Sequence, residues 1–306
     1  MKMRLLDSIM KRSCNKVIAL AVMIFAISST SATAGIFTDA PDIVFPSAVD
    51  AELQAQLEQR IAERGLKNEV NGKRLSVTLV DITDIENPRL AHVNGFDTFY
   101  AASLPKLAIM LAVFEEVNQG NLELTEELDE SLKQMIQSSS NVEATRLYEL
   151  VGPPRIAEIL QSDRYQLYDI ETGGGLWVGK PYGKKPAWKR DPLKNASHAA
   201  SGIQVARFYF LLESDELVAP KYCRAMKGIL ADSSINHKFV KGLKTSNPEA
   251  RIYRKSGTWR NYHSDSALIE RPDGRKYIAV GLTQNKNGGA LLEKIIVDLD
   301  LLIDRD

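Results

Sequence analysis

Three short groups of serine, lysine and asparagine residues have the side chains that nucleophilic catalysis requires. The first is Ser103-Leu104-Pro105-Lys106, in which a hydroxyl and an amine stand three residues apart. Proline is tolerated only in the first turn of a helix, so Pro105 predicts that Ser103 lies at the start of a helix formed by the apolar run 107–114. The helix dipole there favours negative charge on the serine oxygen, and partial burial lowers the pKa of the lysine. The pair could be a nucleophile and its base, or equally a capping serine and a lysine that reaches past an apolar surface to solvent.

The other two groups lie further along the chain. Ser139-Ser140-Asn141 separates two predicted helices, a position typical of a helix cap. Lys255-Ser256-Gly257-Thr258 falls late in a predicted strand. A glycine inside a strand lowers stability unless another backbone or a ligand must come close, as it must beside an acyl-transfer cleft. Each group is a weak signal alone, and their order along the chain makes them informative.

Hydrophobic periodicity predicts the elements that must position these groups. Strands are predicted over 75–82, 88–95, 250–259, 263–271 and 276–285, with helices over 53–61 and 290–303 and, between the two sets of strands, near 126–137, 141–150, 153–161, 202–213 and 220–231. Residues 171–200 are rich in glycine and lysine and are predicted to form a long irregular loop. We therefore expect a two-lobed α/β fold: an antiparallel five-stranded sheet flanked by N- and C-terminal helices, from 45–100 and 245–306, and an all-helical lobe from 101–244.

The first 34 residues have the pattern of a secretory signal peptide. A basic start is followed by an uncharged apolar run over 17–27 and by Ala32-Thr33-Ala34, which matches the small-residue cleavage pattern. The apolar run is too short to span a bilayer. We expect cleavage near Ala34 and an exported mature chain, residues 35–306, that is periplasmic or secreted and has no stable membrane anchor. The alternative is an uncleaved anchor.

Composition excludes several classes of function. The 306 residues include 39 basic and 39 acidic side chains, so no basic excess suggests a nucleic-acid partner. Cys14 lies in the predicted signal peptide, which leaves Cys223 without a disulfide partner. The four histidines form no H-E-x-x-H motif, and one cysteine cannot build a thiolate zinc site. We therefore predict no metal and no cofactor.

Together and in this order, the three groups resemble the motifs S-x-x-K, S-x-N and K-T-G or K-S-G of the serine penicillin-recognising enzymes. These are the class A β-lactamases and the penicillin-binding DD-peptidases, whose architecture the predicted elements also match. The resemblance implies that Ser103 attacks a carbonyl to give an acyl-enzyme. It also implies that Lys106 is the base or part of a proton relay, and that Ser139 passes a proton to the leaving nitrogen.

The resemblance implies substrate contacts as well. Asn141 would bind a substrate amide, and Lys255 and Ser256 would bind a substrate carboxylate. Backbone N–H groups of Ser103 and Thr258 would form the oxyanion hole, beside Gly257. The expected ligand is thus a small β-lactam or a peptide derived from peptidoglycan.

The sequence departs from the class A pattern in one functional motif. It contains no E-x-x-L-N, the motif whose glutamate activates the deacylating water in that class. Glu171 is the one glutamate of the 171–200 segment. It is a weak candidate to replace the deacylating glutamate, and a solvated loop carboxylate is the better interpretation. We expect an exported serine hydrolase of the class A β-lactamase type, acting on a β-lactam or related amide. The alternatives are a penicillin-binding DD-peptidase-like protein acting on cell-wall peptide, or a non-catalytic peptidoglycan-binding module.

Overall fold

The computed structural model describes residues 44–304, which form a mixed α/β fold. The predicted signal peptide lies outside the described residues. The helices are α1 (Ala51–Glu63), α2 (Lys67–Asn71), α3 (Lys106–Asn118), α4 (Glu126–Gln137), α5 (Asn141–Val151), α6 (Pro153–Gln161), α7 (Gly202–Glu213), α8 (Pro220–Ala231), α9 (Phe239–Ser246) and α10 (Gly288–Leu301). The strands are β1 (Leu75–Asp81), β2 (Arg89–Val93), β3 (Phe99–Tyr100), β4 (Tyr168–Asp169), β5 (Gly174–Gly175), β6 (Trp177–Val178), β7 (His198–Ala200), β8 (Arg251–Trp259), β9 (Tyr262–Glu270) and β10 (Lys276–Gln284). Within this range no helix is both long and apolar enough to cross a membrane.

The main sheet is built from both ends of the chain, as the sequence predicted. Its five strands run antiparallel in the order β2-β1-β10-β9-β8. The central pair joins the N-terminal β1 to the C-terminal β10, with Leu75 opposite Thr283. Strand β8, which carries the Lys255-Ser256-Gly257 group, lies at the edge of the sheet.

Each face of the sheet packs against a different set of helices because side chains alternate along a strand. Tyr277 and Ala279 of β10 lie in a core cluster with buried side chains of α1, α9 and α10. Their neighbours Ile278 and Val280 lie in a second cluster with α3 to α8. Helix α3 is the most buried helix of that cluster, since all but two of its residues are buried. A helix that is apolar on every side is expected in the protein interior, and α3 lies there.

The prediction of a wholly irregular loop over 171–200 was wrong. This segment contains β5, β6 and β7, and β7 pairs with both β6 and the distant β3. These strands are two or three residues long, too short for an alternating pattern to be visible in the sequence. Residues 171–200 are therefore fixed to the rest of the protein by backbone pairing. The sequence analysis also identified neither α2 nor α9.

Candidate active site

Ser103 lies in a tight turn that leads from β3 into α3. The turn is anchored to β7, because Ala101 N donates a hydrogen bond to His198 O at 2.9 Å. Ala102 adopts a left-handed conformation, with φ 51°, which is unfavourable for a side chain other than glycine. The α-helix begins at Lys106, one turn after the serine. The turn holds Ser103 half-buried on the wall of a cavity of ≈ 700 Å³.

Lys106 is fully buried and held by hydrogen bonds. Its Nζ donates to Ser139 O at 2.6 Å, to Asn141 Oδ1 at 2.9 Å and to Ser139 Oγ at 3.2 Å. Burial lowers the pKa of the Lys106 amine to about 7. At neutral pH a substantial fraction of this amine is therefore neutral and able to accept a proton.

Two adjacent serines between α4 and α5 have different roles. Ser140 is the helix cap that the sequence suggested, since its Oγ accepts a hydrogen bond from Glu143 N at 3.2 Å. Ser139, with φ 59°, has the left-handed backbone conformation. Its hydroxyl contacts Lys106 Nζ and also accepts a hydrogen bond from Lys255 Nζ at 2.9 Å. One hydroxyl thus connects two buried lysines.

The second of these lysines, Lys255, lies on β8. It is 2% exposed, and burial, followed by the nearby charge of Lys106, lowers its pKa well below the ordinary lysine value. Two ammonium groups that share the hydroxyl of Ser139 repel each other, which favours loss of a proton from the pair at neutral pH. An anion bound here would reduce that repulsion.

Gly257 lets the edge of β8 lie directly against the serine turn. A Cβ at this position would stand 2.2 Å from Ala101 O and 2.7 Å from Ser103 N. The close backbone approach that the sequence predicted at this glycine is therefore present. Thr258, next along the strand, is exposed and lines the cavity, whereas Ser256 is 5% exposed.

A third buried lysine, which the sequence analysis missed, supports β8 from behind. Lys238 is 3% exposed, and its Nζ donates to Gly257 O at 2.7 Å, Thr258 Oγ1 at 2.9 Å and Ser264 O at 3.0 Å. Ser264 in turn donates through Oγ to Ala101 O at 2.8 Å. No periodic pattern or motif surrounds Lys238, so this role could not be predicted from the residues around it.

A buried ion pair joins β8 to β9 on the same side. Arg254 and Asp265, 1% and 0% exposed, are joined by two hydrogen bonds of 2.9 Å. Asp265 also accepts a hydrogen bond from Phe239 N at 3.1 Å, which fixes the start of α9. These contacts hold the strand in the position that Gly257 requires.

An aromatic side chain covers Lys106 on the cavity side. The amine lies 4.5 Å from the centre of the Tyr182 ring, and the Tyr182 hydroxyl donates to Ala102 O at 3.3 Å. The ring of His198 lies 4.2 Å from that of Tyr182. Burial and the nearby Lys180 lower the pKa of His198 to about 3, so this histidine is neutral.

No carboxylate lines the cavity within the described residues. Glu171, the weak candidate for a deacylating group, is exposed and does not line the cavity. The described part of the chain also holds no group of three histidine, cysteine, aspartate or glutamate side chains that could bind a metal. The cavity contains Ser103, Asn141 and Thr258 together, with Lys106, Ser139 and Lys255 linked behind them.

Comparison with known proteins identifies the family. The profile of the Beta-lactamase enzyme family matches residues 56–131 and 127–303. No curated protein matches the chain significantly. Among solved structures, PBP-A has 17% sequence identity and a TM-score of 0.62, covering 83% of this chain and 97% of its own. A β-lactamase from Sphaerobacter thermophilus has 18% identity and a TM-score of 0.62, covering 81% of this chain and 96% of its own. A class A β-lactamase from Bacteroides cellulosilyticus has 18% identity and a TM-score of 0.60, covering 82% and 99%. These likenesses share the fold, and the family match confirms the resemblance stated from the three motifs: the chain belongs to the beta-lactamase enzyme family.

Proposed function

We propose that the protein is an exported serine hydrolase of the class A β-lactamase type, which forms an acyl-enzyme through Ser103 with a β-lactam or related amide. The observation that carries this proposal is the environment of Lys106. Lys106 is the first residue of the helix that follows Ser103, and its fully buried amine has a pKa of about 7. Hydrogen bonds to Ser139 and Asn141 hold this amine in place. A neutral amine at this position is a suitable proton acceptor for a serine nucleophile.

Acylation would proceed in two steps. Ser103 Oγ attacks the carbonyl carbon, and its proton passes to the neutral Lys106 amine. The negative oxygen that forms is stabilised by the backbone N–H groups of Ser103 and Thr258, each contributing about 3 kcal/mol in comparable sites. The carbon–nitrogen bond then breaks, and the leaving nitrogen takes the proton of the Ser139 hydroxyl. Lys106 or Lys255, both hydrogen-bonded to that hydroxyl, returns a proton to Ser139.

Binding of the substrate would use the remaining predicted residues. Lys255 supplies positive charge for a substrate carboxylate, and Ser256 a hydroxyl contact to it. Asn141 lines the cavity and contacts Lys106, so its amide can bind the acyl side of the substrate while its oxygen holds the lysine. Gly257 keeps β8 close enough to the serine turn for the N–H groups of Ser103 and Thr258 to serve one carbonyl oxygen.

A penicillin-binding DD-peptidase-like protein is the second candidate, and a specific observation favours it. Hydrolysis of an acyl-enzyme needs a base that activates water on the cavity side. In the described residues no carboxylate lines the cavity, and the Tyr182 ring covers Lys106 there. An acyl group on Ser103 would then persist, as expected of a protein that reacts with penicillin and acts on cell-wall peptide. One structural relative, an L158E mutant of PBP-A, is described as an acyl-enzyme complex with penicillin G.

Labelling with β-lactams tests the proposal. The purified protein is incubated with a fluorescent penicillin and with a chromogenic cephalosporin, and its intact mass is measured. An adduct on Ser103 together with steady hydrolysis supports the β-lactamase assignment. A stable adduct without hydrolysis supports the DD-peptidase-like protein. If neither adduct nor hydrolysis forms, the acyl-enzyme proposal is wrong and a binding module becomes the better assignment.

Two adjacent serines provide a matched control for the relay. Ser139→Ala removes the hydroxyl that contacts both lysines, and should slow acylation about 100-fold or more. Ser138→Ala removes a neighbouring exposed hydroxyl that donates to Gln134 O within the helix end. This control should acylate at the wild-type rate. Equal rates for both variants would remove Ser139 from the mechanism. Export is tested separately, by locating the protein after cell fractionation and measuring its N-terminal mass.

A further inference from the structure

One wall of the cavity is positively charged and has no neutralising partner. It is lined by Lys180, Lys184, Arg190 and Lys194, and among the residues that the structure describes no aspartate or glutamate lines the cavity. Lys180 Nζ donates to Gly183 O at 2.7 Å and Arg190 to Asn195 O at 3.2 Å, so the contacts of both are with backbone carbonyls. Within residues 44–304 none of the four basic side chains forms an ion pair. We call these four side chains the cationic wall.

The cationic wall is held in place by contacts with the protein interior. Asp191, 1% exposed, accepts hydrogen bonds from Lys194 N at 2.6 Å and from the Tyr168 hydroxyl at 2.5 Å. Lys189 O accepts a hydrogen bond from Nε1 of the buried Trp177 at 3.0 Å. A ligand that binds this wall would therefore not have to order a flexible loop, and would lose little binding free energy to that process.

The surroundings of the cationic wall strengthen its attraction for an anion. Lys106 and Lys255 lie behind the cavity, and the proton that this pair of amines retains adds positive charge there. A cleft lined by charges of one sign, with low-dielectric walls, concentrates the electric field and raises the local concentration of the opposite charge. The cavity as a whole is therefore suited to a ligand with more than one negative group.

The position of the cationic wall indicates which part of a substrate it would meet. Ser103 and Asn141 line the cavity, whereas Lys255 does not. A substrate whose carboxylate binds Lys255 and whose carbonyl lies at Ser103 would extend its acyl portion into the cavity, past Asn141. That portion would then lie along the wall.

We propose that the natural substrate carries a second negative charge on the acyl side of the bond that is broken, and that the cationic wall recognises it. The substrate class is an amide or lactam with at least two carboxylates, one near the leaving nitrogen and one in the acyl portion. This inference rests on the proposed acylation of Ser103 and adds a specificity to it. The exposed residues Lys184 and Lys194 are the specificity-determining side chains that can be changed with least effect on the fold.

Three penicillins that differ at one carbon test the proposal. These are benzylpenicillin, its α-carboxy derivative and its α-amino derivative, whose acyl side chains are neutral, negative and positive. Stopped-flow labelling of the purified protein gives the second-order rate of acylation by each. The α-carboxy compound should react about tenfold faster than benzylpenicillin, and the α-amino compound more slowly. This preference should decline as ionic strength rises from about 0.02 M to about 0.5 M, because exposed charges are screened.

Charge-matched variants locate the effect. Lys184→Gln with Lys194→Gln should lower the rate ratio of the α-carboxy compound to benzylpenicillin by about tenfold. Lys185→Gln with Lys189→Gln removes the same charge from the same segment but outside the cavity, since Lys185 pairs with Glu149. The control should keep the wild-type ratio. Equal rates for the three penicillins, or equal ratios in the two double variants, would overturn the inference while leaving acylation intact.

A binding measurement separates this inference from the proposed function. Calorimetric titration of the Ser103→Ala protein with the α-carboxy compound and with benzylpenicillin does not depend on acylation. Tighter binding of the α-carboxy compound, lost in the cavity double variant, supports the cationic wall even if no acyl-enzyme forms. Equal binding of the two compounds contradicts it. Absence of an adduct in the wild-type protein concerns the proposed function alone.

Discussion

Gly257→Ala offers a sharp test of the contact between β8 and the serine turn. The new methyl group would lie 2.2 Å from Ala101 O and 2.7 Å from Ser103 N. Both are backbone atoms, so no flexible side chain can move aside. The backbone of Gly257 does not have a positive φ, and the penalty is therefore a collision and not an unfavourable backbone conformation. Relief to an ordinary contact requires a displacement of about 1 Å between β8 and the turn.

The displacement determines how far the acylation rate and the free energy of unfolding should fall. A reactive group misplaced by about 1 Å loses roughly 100-fold in rate, or about 2.7 kcal/mol of barrier. Overpacking should also lower the free energy of unfolding by about 1–3 kcal/mol. We expect Gly257→Ala to be folded, less stable, and about 100-fold slower to acylate. Stopped-flow labelling with a fluorescent penicillin and urea unfolding followed by circular dichroism measure the two effects.

The same substitution at Gly228 provides the control. Gly228 lies on the exposed side of α8, and a Cβ added there meets no atom within 4 Å. Alanine is a better helix former, so Gly228→Ala should raise stability by about 0.5–1 kcal/mol without changing acylation. If Gly257→Ala acylates within about threefold of the wild-type rate, a barrier change below about 0.7 kcal/mol, the contact does not position Ser103.

The remaining predictions concern buried charge. The acylation rate should rise with pH up to about 7 and then level off, because the neutral Lys106 amine accepts the proton; a flat profile from about pH 5 to about pH 9 would contradict that role. The folded-state pKa of Lys106, about 7, lies below its unfolded value of about 10.4. Between these two pH values the unfolded chain binds more protons than the folded chain, so the free energy of unfolding rises with pH. In urea titrations at several pH values, Lys106→Met should reduce that rise. Asp265→Asn leaves the buried Arg254 guanidinium unpaired and should lower the free energy of unfolding by about 3–5 kcal/mol, whereas Asp273→Asn, in an exposed pair, should change it by less than about 1 kcal/mol.

Local sequence was sufficient to predict the elements that carry the three motifs. Pro105 and the eight apolar residues of 107–114 identified both the start of α3 and its burial, because a helix that is apolar on every side must lie in the interior. Alternation of side chains identified β8, β9 and β10, and the sequence Pro272-Asp273-Gly274 between the last two is typical of the turn in the hairpin that they form. Gly257 could be interpreted because a glycine inside a strand lowers stability, which indicates that another backbone or a ligand comes close there.

Residues that act through long-range contacts could not be predicted in the same way. Lys238 supports β8 from an irregular segment between α8 and α9, and neither its neighbours nor its spacing indicates burial. Tyr182 reaches Lys106 because the short strand β7 pairs with β3, a contact between distant parts of the chain. Such pairings depend on the assembled fold, and a glycine- and lysine-rich composition predicts only a loop.

The split sheet has a consequence for the order in which the protein can become reactive. Leu75 pairs with Thr283, so closing the centre of the sheet joins segments about 200 residues apart, at an entropic cost of about 5 kcal/mol. Helices α3 to α6 are joined by short connections and can associate early, which brings Lys106, Ser139 and Asn141 together. Lys255 and Gly257 arrive with β8, whose place depends on β9 and β10. During synthesis the chain therefore contains the proposed nucleophile and base long before it contains the strand against which a substrate would lie, and the proposed reactivity toward an amide would be a property of the finished chain alone.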